Sequence, residues 1–239
     1  MNTMDSEGIR LNKYMSDCGF CSRREADRLI EDGSVTIDGT IAVLGQKVLP
    51  GQVVKCKGEV ISANDRPVLI ALNKPAGIEC TAAADNPDNI VDFVGYPIRI
   101  YPVGRLDKQS QGLIFLTNRG ELVNAILKAS NYHEKEYIVS IDCPVTDDFI
   151  DKMSAGVKLD DGVVTRKCAV SRISKHSFRI ILTQGLNRQI RRMCRALGCE
   201  VTSLKRVRIM NICLGDLPEG TWRNIEGSEL AELERLLGL

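Results

Sequence analysis

Asp107 lies in YPVGRLDKQSQGLIFLTN, residues 101–118, between Gly104 and Gly112. An apolar stretch enters this segment and another leaves it, so the carboxylate stands on a glycine-flanked loop whose ends a scaffold fixes. A carboxylate held in that way can act as nucleophile or general base. The same residue could cap backbone N–H groups in a plain turn, and its neighbours alone favour that turn reading. Only two histidines, His133 and His176, are present, so acid–base chemistry falls to carboxylate, Lys, Tyr or Arg.

A second constellation is cationic. Arg188, Arg191, Arg192 and Arg195 follow an i, i+3, i+4, i+7 spacing, one face of a helix expected over 187–197. Ile190, Met193, Cys194 and Leu197 take the opposite, core-facing side. Lys205, Arg206 and Arg208 follow, with only Glu200 opposing, which makes this the densest positive region of the chain. Guanidinium groups suit bidentate contact with phosphate or carboxylate. The net charge is only +1, from 32 basic and 31 acidic residues, so any nucleic-acid partner would be met by a local patch.

Cysteine usage argues against a metal. Cys18 and Cys21 form one CxxC, with no second pair or histidine pair at zinc spacing. Cys56, Cys80, Cys143, Cys168, Cys194, Cys199 and Cys213 are scattered and are expected as free, core-packed thiols in a reducing compartment. No apolar run reaches membrane-span length, and MNTMDSEGIR has no secretory apolar segment. The expectation is a cytoplasmic protein with no membrane contact.

The elements that must position these residues fall into two groups. Ile9, Leu11, Tyr14 and Met15 fit a short amphipathic helix broken at Gly19. Ser22 and Glu25 then form a capping-box pattern for a helix ending at Gly33. A small sheet follows in SVTIDG and near 53–56. Arg10, Lys13, Arg23 and Arg24 gather at the helix starts, where free N–H groups and positive charge favour phosphate. Polar residues 59–66 suggest a linker. Beyond Pro67, strands in PVLIALNK, GLIFLTN, EYIVSID and FRIILTQ alternate with long excursions. Helices are expected over 121–129, 146–153, 187–197 and 229–237. The class is α+β, with a mixed, mainly antiparallel sheet flanked by helices behind a small domain of two helices and a sheet.

RLNKY, SRREAD and the G-x-V-x-I-x-G hairpin resemble the S4 RNA-binding domain over residues 8–61. The resemblance implies that Arg10, Lys13, Arg23 and Arg24 face structured RNA, and that the CxxC is a structural bend. Over residues 67–239, LNKPAG, GRLDKQSQGLIFLTN, EKEYIVSI and GLNRQIRRM resemble, in order, the motifs of the RNA pseudouridine synthases. The nearest branch is the RsuA/RluF type, and within it the RluF-like enzymes. This implies isomerisation of a uridine without cofactor or metal, with Asp107 as the essential carboxylate, Tyr137 as the active-site tyrosine and Arg191 as the partner of Asp107. It implies that Arg105 fills the space left by the displaced base, and that Arg188, Arg192 and Arg195 contact phosphates. Lys74 packs the strand before the loop or touches RNA.

The implied partner is ribosomal RNA, 23S first, with a tRNA anticodon uridine as a further substrate; a monomer is the plain expectation. Leu186 stands where many relatives carry a basic residue, a departure that bears on one RNA contact and not on the catalytic set. The chain ends at Leu239 without the long basic extension of some RluF-like enzymes. The competing reading is a non-catalytic RNA-binding or ribosome-assembly factor on the same fold. A protein-interaction module whose basic helix meets an acidic partner is less compatible with the S4-like front end.

Overall fold

Strand β1 (Ile9–Arg10) passes directly into α1 (Leu11–Asp17), so Ile9, expected on the helix, is instead a strand residue paired with Val48. The computed structural model describes residues 8–62, 67–83, 85–128 and 132–239. Ser22 is extended, and its Oγ accepts the Glu25 N–H at 3.1 Å, which starts α2 (Arg23–Glu31) where the capping pattern puts it. β2 (Val35–Ile37), β3 (Thr40–Ile41), β4 (Lys47–Val48), β5 (Val54–Cys56) and β6 (Glu59–Val60) follow. The sheet order is β3-β2-β5-β6, with β1 and β4 pairing separately. Glu59 and Val60, read as linker, are thus the last strand; residues 63–66 of that stretch lie outside the described residues.

Leu11, Met15, Ala26, Ile30, Val35, Ile37 and Val54 form the core of this unit. Cys18 and Cys21 are free, half-buried thiols packed against it, and burial pushes the Cys21 thiol up to about 11. That suits a structural bend and not a reactive thiolate.

The chain divides into two compact units, Met1–Pro67 with Pro97–Ile100 and Asn118–Gly120, and the remainder. The larger unit contains β7 (Leu69–Lys74), α3 (Ile90–Val94), β8 (Tyr101–Pro102), β9 (Gln111–Thr117) and, from Glu121 on, α4 (Gly120–Leu127). Then come β10 (Lys135–Ile141), α5 (Asp147–Ala155), β11 (Ala169–Ser174), β12 (Ser177–Leu182) and α6 (Gln189–Ala196). β13 (Val201–Ile209), β14 (Ile212–Cys213), β15 (Trp222–Asn224) and α7 (Gly227–Leu237) complete it. One sheet runs β11-β12-β10-β13-β9-β7-β15, with β14 on β13 and β8 on β9. Every pairing is antiparallel except β13 with β9, as the mixed, mainly antiparallel expectation requires. Thr146 caps α5 by accepting from the Phe149 N–H. Ala129, expected to end α4, lies outside the described residues.

Two expectations are corrected here. Lys205, Arg206 and Arg208 are not an open basic patch, because β13 is a central strand: Arg206 is buried, and Arg208 is paired with Glu134 and Glu136. Cys143 and Cys199, read as free thiols, are bonded to each other. The antiparallel β10–β13 ladder sets Ile141 opposite Val201 and so carries the flanking cysteines to a Cα separation of 5.7 Å. Among the described residues no helix is long and apolar enough to cross a membrane.

Gly112 shows why the loop carrying Asp107 ends on glycine. Its φ is +97°, and a Cβ there would stand 2.2 Å from the Arg206 carbonyl oxygen, at the parallel β9–β13 contact. Gly112→Ala is therefore expected to cost roughly 3 kcal/mol, from strain and forced strand separation. Urea unfolding reads this directly; a variant as stable as wild type would contradict the close approach.

Candidate active site

Lys74 ends β7 with no exposed surface. Its Nζ donates to the carbonyls of Pro75 at 2.8 Å, Ile78 at 2.7 Å and Lys108 at 3.3 Å, which uses the three protons of an ammonium. Burial lowers its pKa, and Asp107 is among the charges that act in the opposite direction. The Gly77 N–H also donates to Lys108 O at 2.8 Å, and the Leu106 N–H to Cys80 Sγ at 3.3 Å. The LNKPAG segment thus holds the Asp107 loop from below, and Ser110 N–H donating to Asp107 O at 2.9 Å closes the turn. Lys74 is a brace of the loop and is closed to RNA.

The Asp107 carboxylate is part-exposed, with Oδ2 at 3.5 Å from Nε of Arg191 on α6. Arg191 is itself fixed: Nη1 donates to Val201 O at 3.3 Å and Nη2 to Ser110 Oγ at 3.4 Å. Three elements distant in sequence therefore meet at one ion pair. Tyr137 on β10 and Arg206 on β13, opposite each other in the ladder, line the same cavity of about 880 Å³ as Asp107, Arg105, Arg188 and Arg191.

The basic residues separate by environment. Arg105 projects outward, its side chain 74% exposed and 3.8 Å from Glu79. Arg188 is exposed but is not on the helix: it is the residue before α6, in the left-handed region at φ 48°, which a spacing argument does not detect. Arg192 is held by Asp160 and Asp161, with Nε at 2.7 Å from Asp160 Oδ1. Arg195 pairs with Glu200 at 3.0 Å. Of the three arginines expected to contact phosphate, Arg192 and Arg195 already hold carboxylates, while Arg191 pairs with Asp107. In the smaller unit Arg10, Lys13, Arg23 and Arg24 are all exposed, with Lys13 paired to Asp17 at 2.6 Å. Lys135, Ser110, Cys80 and Arg206 went unnoticed as parts of the site. Gly112, which marks a close strand approach, was the available signal for Arg206.

A carboxylate with a fixed cation beside an aromatic ring, in a cavity large enough for a nucleotide, suits attack on or proton removal from a sugar. The chain belongs to the RNA pseudouridylate synthase family, whose model matches residues 68–196; the S4 domain model matches residues 9–54. It is 54% identical over 98% of its length to the dual-specificity RNA pseudouridine synthase RluF of Escherichia coli K12, covering 81% of that protein. The RluF of Salmonella typhi is 56% identical over 95% of this chain and 79% of its own. A solved pseudouridylate synthase superposes with a TM-score of 0.69 at 26% identity, over 96% of this chain and 100% of that one.

Removing the brace tests how the loop is held. Lys74→Met is expected to cost about 3 kcal/mol, since three carbonyls lose a charged donor. It should also speed hydrogen exchange at the Gly77 and Ser110 amides. Unchanged exchange at both would show that the loop holds its shape without the ammonium.

Proposed function

We propose that this chain isomerises one uridine of a structured RNA to pseudouridine, with Asp107 as the reacting carboxylate. The observation that carries the reading is the Asp107–Arg191 ion pair, set in one cavity with Tyr137. The reaction breaks N1–C1′, turns the base and joins C5 to C1′, with no redox change and no group gained. Asp107 bonds to C1′ or takes the 2′ proton while Arg191 holds its charge in place. Tyr137 stacks on the uracil, and its hydroxyl assists proton removal from C5 after rejoining. The base must leave its stack to enter, and Arg105, exposed on the loop, takes the vacated space.

Arg188 contacts backbone phosphate, as do Arg10, Lys13, Arg23 and Arg24 on the S4 unit. Arg192 and Arg195 do so only by exchanging their present carboxylate partners. The relatives named dual-specificity RNA pseudouridine synthase RluF support an RNA substrate; 23S ribosomal RNA is the first to test and a tRNA anticodon uridine the second. The reading takes the protein to act as a monomer in the cytoplasm.

Transcribed 23S rRNA carrying tritium at uridine C5 tests the reaction, because rejoining through C5 releases that label. Release by wild type, lost in Asp107→Asn with RNA binding retained, is the expected result. Binding without release from rRNA or tRNA would instead describe a non-catalytic RNA-binding factor. Arg188→Ala should weaken RNA binding and reduce the salt slope of log K by about one, whereas Arg192→Ala should leave that slope nearly unchanged. Equal slopes for all three proteins would remove Arg188 from the phosphate contacts.

A further inference from the structure

Two cations in the cavity wall have no carboxylate paired to them among the described residues. Arg206 is only 4% exposed. Its Nε donates to Leu113 O at 2.6 Å, but its Nη2 is closed to solvent and has no hydrogen-bond partner among the described residues. Lys135 on β10 lines the same cavity, with Nζ donating to His133 O at 3.3 Å. Its ammonium is pushed down by burial and by the nearby Arg206, with no carboxylate among the charges acting on it. A buried guanidinium beside a half-buried ammonium, with no anion between them, is costly, and an orphaned buried donor is rare in a folded protein. Both become favourable once an anion enters.

Position says which anion. Arg206 is the cross-strand partner of Tyr137, its guanidinium carbon 6.0 Å from the tyrosine ring centre, and Lys135 stands two residues before that tyrosine on the same strand. Strand alternation puts Lys135 and Tyr137 on one face. A base that enters beside Tyr137 thus meets two cations, while the carboxylate and Arg191 serve the sugar. Breaking N1–C1′ leaves the bonding pair on N1, spread through the ring onto O2 and O4. C1′ is satisfied by the Asp107 carboxylate or by loss of the 2′ proton to it. No oxidant or co-reactant is needed, and the detached uracil is an anion.

We propose that Arg206, assisted by Lys135, binds the detached uracil as its anion and so lowers the barrier to glycosidic cleavage. The inference rests on the isomerase reading and extends it to the leaving group, where a preformed charge acts most strongly as negative charge develops. An RNA phosphodiester could supply the same anionic chemistry, and the experiment separates the two.

The test uses full-length protein and two 23S rRNA transcripts, one made with uridine and one with 5-fluorouridine. Fluorine stabilises the uracil anion, so a protein group serving that anion matters less on the fluorinated RNA. Single-turnover conversion is counted by mass spectrometry of the digested RNA. Arg206→Gln should lower the rate on uridine RNA about 100-fold or more, with a loss at least about tenfold smaller on 5-fluorouridine RNA. RNA affinity and its salt slope should stay unchanged, and Arg206→Lys should recover much of the rate. Lys135→Gln should show the same substrate dependence at smaller size, and it carries the test alone if Arg206→Gln fails to fold. Equal losses on the two RNAs overturn the inference. So does weaker binding with a reduced salt slope at unchanged rate, which would assign the cations to a phosphate. Wild type that converts neither transcript nor tRNA contradicts the isomerase reading itself, a result distinct from equal losses in the variants.

Discussion

A buried ammonium under the loop is the constraint on which the site depends. Lys74 has no exposed surface and holds the carbonyls of Pro75, Ile78 and Lys108. Placing such a charge inside a protein is unfavourable unless every proton is used, and here the three acceptors come from the two segments that must stay together. One belongs to the Asp107 loop, the others to the turn after β7. Losing this ammonium would leave those carbonyls to find other partners, so loop shape and charge satisfaction are one requirement. Arg191 completes the arrangement from α6, tying Asp107, Ser110 and Val201 together.

Charge is divided by task across the larger unit. Asp107 and Arg191 neutralise each other, Arg192 and Arg195 hold carboxylates on the surface, and Arg208 bridges Glu134 and Glu136. Among the described residues, Arg206 and Lys135 have no acidic partner inside the cavity. A protein with net charge of +1 can therefore present a strongly positive interior to one nucleotide while most of its other arginines are spoken for.

Much of this was legible from the sequence where a local rule applies. Ser22 and Thr146 cap helices because a side-chain oxygen three residues before an unpaired N–H is a local event. The apolar runs of β7 and β9 declare buried strands, and the glycine-flanked Asp107 loop is where its two glycines put it. What was hidden depends on partners far along the chain. Lys205, Arg206 and Arg208 read as the densest positive region of the chain, yet on β13 Arg206 is buried and Arg208 pairs with Glu134 and Glu136. Spacing put Arg188 on the helix, since periodicity counts positions and does not see a positive φ. The partners of Arg192, Asp160 and Asp161, lie about thirty residues upstream in a turn with no pattern linking it to α6. Cys143 and Cys199 meet only through the β10–β13 register.

The central claim is positional: a carboxylate at Asp107, held where Lys74 and Arg191 fix it, reacts at the sugar. Asp107→Glu keeps the charge and the ion-pairing chemistry and displaces the carboxylate by one methylene. The measurement is the single-turnover rate of pseudouridine formation by this variant on 23S rRNA transcript, with RNA affinity measured alongside. The account predicts a loss of about 100-fold or more at unchanged affinity. A rate within a few-fold of wild type would contradict it.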